Sequence, residues 1–316
     1  MMQEKSATKP VRDLDEVRAM IKRHKLNDYI FSIIGLLCLM VGLLTLLTLF
    51  IDLIQQGYPK LFSASFYTDF PSRRASSAGL LSALVGSSLV MLVTFFSAVP
   101  IGVMAAIYLE EYAPKNWLSD LIEINVSNLA AVPSIIYGLL ALGLFVYMLD
   151  FGQSILTAGL TLGLLIMPVV IVATRESIRS IPVAIREAAY AVGATKWQVV
   201  YDHVIKYSFG GILTGVIIGM ARAIGETAPI ITIGALTFIA FLPPSPITTT
   251  APFFNLEWLS SGFTVLPIQM FSWLSRPSEA FHVNAAAAGV IIILVTLVMN
   301  GFAIHMRYKM RKNIKW

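Results

Sequence analysis

Charge is scarce in this sequence. Asp, Glu, Lys and Arg make up 13% of its 316 residues, against roughly 25% in average soluble domains. A water-soluble globule of that make-up could not hide its apolar surface in one core, so soluble enzymes and disordered chains are excluded. Cysteine is almost absent too. The single Cys38 excludes an intrachain disulfide, hence a disulfide-stapled secreted scaffold, and any cysteine-cluster metal site. The four histidines, His24, His203, His282 and His305, are scattered and show no i, i+4 pairing, so they read as loop or membrane-edge residues and no metal is expected. Neither GxxxxGKS nor GxxxxGKT occurs, which removes the Walker route to ATP. With no nucleophile–base pair in its apolar runs, the chain offers no case for a membrane-embedded enzyme. No internal repeat and no low-complexity linker divides it.

What the chain has in quantity is apolar sequence: 57% of the residues and a mean hydropathy of +0.76. The composition is that of an all-α polytopic membrane protein. Crossing hydrocarbon takes about 20 apolar residues, and charge-free runs that long stand at Tyr29–Ile51, Ala75–Leu109, Ile124–Leu149, Phe151–Thr174 and Ala280–Met306. A sixth, from Tyr207 to Phe238, is interrupted only by Arg222 and Glu226. Six transmembrane helices are therefore expected. The second run is long enough for Ala75–Ser77 to lie at the outer surface, and Pro100 should bend its helix. Asp150 and Gly152 should make a tight turn between the third and fourth spans. The first span lacks a small-x-small cleavage site and reads as an anchor.

The net charge of +5 is explained by position, and nucleic acid is not an expected partner. With the N-terminus inside, cytoplasmic segments 1–28, 110–123, 175–206 and 307–316 hold 7, 1, 5 and 5 Lys and Arg, whereas the outer segments 52–78 and 239–279 hold 3 and 1. Eighteen against four places both termini in the cytoplasm. The loop 110–123 stands apart, with Glu110, Glu111, Asp120 and Glu123 against Lys115; acidic residues count little in this rule.

Arg222 and Glu226 fall near the middle of the expected fifth span. Each would cost about 2.5–3.5 kcal/mol at the centre of a lipid-facing helix, so the pair must face protein or water. At 100° per residue Gly211, Gly215, Gly219, Arg222 and Glu226 share a face about 80° wide. Glycines on that face allow close approach of another helix. The pair is either a structural i, i+4 lock between helices or a substrate-pathway charge. A guanidinium is permanently charged and suits bidentate contact with an oxyanion; Glu226 could orient it, and Thr227 could add a hydroxyl.

Residues 175–206 form the one sizeable inner loop. Ser180-Ile181-Pro182 has the form of an N-cap with proline at a helix start. The helix Val183–Val192 should end at Gly193, and Thr195 should cap a second short helix carrying Trp197, Val200 and Tyr201. Two short helices at a glycine turn make a knob for a partner's groove, or simply pack on the membrane surface. The outer segment 239–279, with Pro243, Pro244, Trp258 and Trp273, is expected to hold short interfacial helices.

Glu187-Ala188-Ala189 followed by Gly193 and Ala194, ahead of the fifth span, resembles the "EAA" signature of ABC-importer permeases. Pro100-Ile101-Gly102, Ala106 through Tyr112, Pro133 through Gly138, and Ala221 through Pro229 extend the likeness to the phosphate ABC-transporter permease family. Arg186–Ala194 and Gly225–Pro229 are most similar to its PstA-type branch. The generic signature closes with Leu-Pro; this chain reads Ile205-Lys206-Tyr207-Ser208 instead. The resemblance covers residues 79–306 and implies a type I ABC importer permease of MetI-like fold in the bacterial inner membrane. With the spans and charges read above, the chain divides into a cytoplasmic segment 1–28, a peripheral transmembrane helix 29–54, a periplasmic loop 55–78, a permease core 79–306 with coupling loop 175–206, and a basic tail 307–316.

The implied partners are a second phosphate permease of PstC type, two ATP-binding subunits of PstB type, a periplasmic phosphate-binding protein of PstS type, and membrane lipid. ATP and magnesium would be used by the ATPase subunits, with no cofactor on this chain. Arg222, Glu226 and Thr227 would line the pathway for inorganic phosphate, and Glu187, Ala188, Ala189, Gly193 and Ala194 would dock on the ATPase. The alternatives are a permease for another tetrahedral oxyanion, an ion-driven carrier with Glu226 as its protonation site, and a structural membrane subunit with a buried ion pair.

Overall fold

The computed structural model describes residues 14–247 and 253–312. Residues 1–13 of the expected leader, 248–252 of the outer segment and 313–316 of the tail lie outside it. The described residues are helical apart from connecting turns and one isolated antiparallel bridge, Ile247 to Phe254. The helices are α1 Leu14–Leu61, α2 Ala64–Thr68, α3 Leu81–Tyr112, α4 Trp117–Leu129, α5 Ser134–Met148, α6 Ile155–Arg179, α7 Val183–Ala191, α8 Lys196–Gly225, α9 Ala228–Thr232, α10 Leu266–Leu274 and α11 Glu279–Lys312. Five of them are long and apolar enough to cross a membrane, and α4 with α5 makes a sixth candidate if that bent pair counts as one span.

The chain divides into two compact units at Asp52 and Leu53. In the first, α1 presents apolar side chains on its whole circumference, among them Phe31, Leu36, Leu39, Val41 and Leu46. A helix apolar all round belongs in hydrocarbon or against another apolar helix. The helix starts well before the expected Tyr29, because the residues before it, although charged, are good helix formers.

The second unit is built on α6. Two thirds of its most apolar window (67%) is buried, against 39% for α3. Val93, Ala98, Ile155, Ala158, Leu162, Ile166, Val170, Val216 and Ala223 share one core. Lipid tails are as apolar as leucine, so helices in a membrane associate through close packing. The sequence supplies that closeness with small residues. A Cβ on Gly211 would strike Ser177 Oγ, and one on Gly215 would strike the Ala173 methyl group, so α8 lies directly on α6. Nearer the start of α6 the Thr94 hydroxyl of α3 donates to the carbonyls of Val90 (2.9 Å) and of Gly159 on α6 (3.2 Å).

Several expected boundaries are corrected. The third run is not one straight span: α4 and α5 meet at 104° across Ala130–Pro133, where Pro133 cannot continue a helix and biases Val132 away from helical geometry. Helix α3 runs through Pro100 without interruption. The tight turn at Asp150 and Gly152 is present, with φ of 53° and 63°. Residues 64–80 are more than a loop, since Phe66 and Leu80 are fully buried with Trp273 and Phe281. The segment 239–279 does hold short helices, Glu257–Ser260 and α10, and they carry buried side chains. Trp258 and Ile268 enter the α6 core and Trp273 the second one.

Substituting Gly215→Val should force α6 and α8 apart. Overpacking of this kind costs about 1–3 kcal/mol, to be read as a lowered thermal midpoint of the purified chain. Gly301→Ala, in open space on α11, should leave the midpoint unchanged or raise it.

Candidate functional site

Arg222 lies in the last turn of α8, and Glu226 is the residue that ends the helix, with φ −77° and ψ 125°. The two charges thus stand at a helix end and not within one continuous helix. The helix stops at Gly225, two residues before Thr227 opens the short helix α9 with Pro229 in its first turn. Fixed proline geometry starts the new helix, and a cation in the final turn of α8 is favoured by the helix dipole. Arg222 Nε donates to Glu226 Oε1 at 3.2 Å. That bond engages neither terminal guanidinium nitrogen, so the two-nitrogen fork remains available for a planar, bidentate acceptor.

The two side chains differ in their surroundings. Arg222 is 43% exposed and Glu226 18%. Glu226 faces a crevice of about 10 Å³ bounded by Ser87, Leu162 and Val265, room for about one water molecule. Arg222 is therefore the member that a solute can reach, and Glu226 the member that holds it. Thr227 is half-buried, and its carbonyl accepts from Ile231 N–H at 2.9 Å. On the other side, Tyr137 of α5 lies within electrostatic reach of Arg222. Its hydroxyl donates to the Leu129 carbonyl at 2.8 Å, tying α5 to the end of α4 across the bend. Neither the bend nor Tyr137 emerges from hydropathy; Pro133 was the available signal.

At the other end of α8 stands the knob. Val183–Ala191 forms a helix as expected, but Ser180 does not cap it. Ser180 is the residue that caps the C-terminal end of α6, and its hydroxyl donates to the Ser177 carbonyl at 2.8 Å. Pro182 takes the cap position with no side-chain hydrogen bond. The helix ends as Gly193 predicts: φ is +87°, Gly193 N–H donates to the Tyr190 carbonyl (2.9 Å) and Ala194 N–H to the Ala189 carbonyl (3.1 Å). Those two bonds are a Schellman motif. Thr195 and Gln198 then form a complete capping box, which starts a helix sharply. That helix is not short. It passes through a π turn at Val199–Ile205 and continues to Gly225, because no proline stands at Ile205–Ser208.

The expected docking residues divide between two environments. Glu187, Ala188 and Gly193 are exposed; Ala189 is buried with Ile178, Ile181, Val199 and Val204, and Ala194 packs beside them. Val192, Val183 and Trp197 add apolar surface, with 86%, 64% and 65% exposure, and Trp197 stacks on Tyr201 at 6.0 Å. Ala189 therefore fixes the knob to the body, and the exposed residues make its face. At 1.5 Å per residue the knob end of α8 and Arg222 are roughly 40 Å apart. The acidic loop 110–123 also acquires a purpose. Arg175, only 6% exposed, meets Glu110 at 3.3 Å and Glu123 at 2.6 Å, and Arg179 meets the same two at 3.0 Å each. The acid excess against the basic 175–186 stretch was the sequence signal for this pairing.

A profile of the family described as "Binding-protein-dependent transport system inner membrane component" matches residues 98–312. The chain is 30% identical over 279 residues to the phosphate transport system permease protein PstA of Yersinia pestis, covering 87% of this chain and 88% of that one. It is 32% identical over 232 residues to the protein of the same name from Mycobacterium leprae, covering 73% and 71%. Among solved structures, a chain of a bacterial alginate ABC transporter in complex with a pentasaccharide-bound periplasmic protein superposes with a TM-score of 0.61 at 16% identity, covering 90% of this chain and 96% of that one. A chain of the inward-facing MetNI methionine ABC transporter gives 0.56 at 14% identity, covering 73% and 97%.

The contrast between the two charges can be checked with cysteine in their places in a Cys38→Ser background. Arg222→Cys should react with a water-soluble maleimide several-fold faster than Glu226→Cys. Equal rates would contradict the burial described here.

Proposed function

We propose that this chain, which belongs to the family of binding-protein-dependent transport system inner membrane components, is the PstA-type permease of an ATP-driven importer of inorganic phosphate. It is a multi-pass membrane protein with a MetI-like permease fold. Permeases of this family work with a second permease, ATPase subunits and a substrate-binding protein, and are not themselves ATPases. The finer reading assigns this chain a PstC-type permease, two PstB-type ATPases and a PstS-type phosphate-binding protein, with both termini in the cytoplasm. ATP and magnesium belong to the ATPase subunits.

What carries the reading is the placement of Arg222: a half-exposed guanidinium whose fork has no partner among the described residues, at one end of a continuous helix whose other end bears the knob. A tetrahedral oxyanion presents two oxygens at the spacing of that fork. Glu226 holds Nε and keeps the fork directed outward, and its negative charge limits how tightly the anion is held. Transport needs that weakness, because a pathway site must release what it binds. Glu187, Ala188 and Gly193 form the ATPase-facing surface. Closure of the ATPase dimer would move the knob as a rigid body, and the unbroken α8 would carry the movement to Arg222. A secondary carrier would have no use for a docking knob joined in this way to its ion pair.

Uptake of radiolabelled phosphate, in cells lacking other phosphate carriers and expressing the chain with its partner subunits, tests the reading. Arg222→Gln should lower uptake about 10- to 100-fold and Arg222→Lys by less, since lysine keeps the charge without the fork. Sulfate and molybdate in excess should not compete. Uptake that follows the proton gradient while ATP is constant, or that survives Arg222→Gln intact, would overturn the proposal.

A further inference from the structure

The last turn of α3 is a π turn, Tyr108–Tyr112, a form often found at functional sites. Three consecutive residues in it each meet a cation from the 175–196 segment. Glu110 engages Arg175 and Arg179, as described above. Glu111 Oε1 accepts from Arg186 Nε (3.1 Å) and Nη2 (2.9 Å), and the Tyr112 ring lies 4.9 Å below Lys196 Nζ.

Arg186 is the centre of this junction. Its Nη1 donates to the Ile181 carbonyl at 3.0 Å and its Nη2 to the Ile178 carbonyl at 3.1 Å. One guanidinium thus joins the end of α3, the last turn of α6 and the first turns of α7. The pair is sheltered, with Arg186 17% and Glu111 9% exposed. An exposed ion pair would bend and break at little cost, but removing one partner of a sheltered pair leaves a charge without compensation. The neighbouring Glu187 points outward, so the knob's first face meets the surface while Arg186 is anchored behind it.

We propose that Arg186 and Glu111 are positioning residues for energy coupling: they transmit displacement of α7 to α3, in parallel with the path through α8. The proposal rests on the reading of this chain as an ATP-driven permease. Two routes from one knob would move α3 and α8 together around α6, which touches both. Without the pair, α7 still docks and the ATPases still turn over, but α3 no longer follows.

The test uses the complete complex, permeases with ATPases, reconstituted in liposomes with phosphate-loaded binding protein. Phosphate uptake and ATP hydrolysis are measured together for wild type, Glu111→Gln, Arg186→Gln, the double variant and Arg186→Lys. Phosphate carried per ATP should fall about five- to tenfold in each Gln variant, with hydrolysis and complex yield within about twofold of wild type. The double variant should be no worse than the worse single one, since contacting residues are not additive. Arg186→Lys should recover part of the ratio. Asp202→Asn, in an exposed ion pair with Lys206, should leave the ratio unchanged.

An unchanged ratio in the Gln variants, a proportional fall of uptake and hydrolysis, or failure of every variant to assemble would overturn the inference. Wild-type complex that carries no phosphate with ATP would overturn the permease reading itself, and the inference with it.

Discussion

Inside hydrocarbon two helices gain nothing by hiding apolar surface from water, so this protein is held together where small residues let its backbones meet. Helix α6 is the seam. Gly159 and Gly163 receive α3 through Val93 and Ser97, and Ala173 and Ser177 receive α8 through Gly215 and Gly211. Because those contacts are dispersion-driven and short-ranged, a methyl group in the wrong place has nowhere to go. Everything of functional interest is suspended from this seam: the ion pair at one end of α8, the knob at the other, and the charged junction at the end of α3.

Hydropathy located nearly all the spans because the membrane imposes one dominant rule on composition. It failed where the backbone departs from a straight crossing. The bend at Ala130–Pro133 lies in an apolar stretch that looks continuous when only charge is counted. In the segment 239–279, hydropathy did not single out Trp258, Ile268 and Trp273 as core residues. Periodicity did better on the glycine face of α8, since the expected helix contact is there. It placed Glu226 on that helix as well, and could not see that Thr227 and Pro229 start another.

The knob region was legible residue by residue, because caps are local chemistry. Gly193 and Thr195 each do what their chemistry favours: one, lacking a Cβ, takes the positive φ that ends a helix, and the other makes the hydroxyl bond that starts the next. The Ser180-Pro182 pair misled because the same serine–proline pattern serves equally well just after a helix. The acidic loop 110–123 was read only as an exception to a charge rule about topology. Its glutamates answer arginines some 52 to 75 positions later in the chain, a pairing that no local pattern encodes.

The seam also sets a mechanical ratio. The contact of Gly211 and Gly215 with α6 stands roughly 25 Å from Lys196 and roughly 14 Å from Arg222 along the helix axis. If α8 rocks about that contact, it is a lever with unequal arms, and a shift of about 5 Å at the knob arrives at the guanidinium as about 3 Å. On the proposed reading the long arm faces the ATPase subunits and the short arm faces the ion pair. Travel is reduced and force is multiplied by the same factor. A displacement of that size is enough to break a hydrogen bond and form another, which is the scale on which an oxyanion site opens or closes.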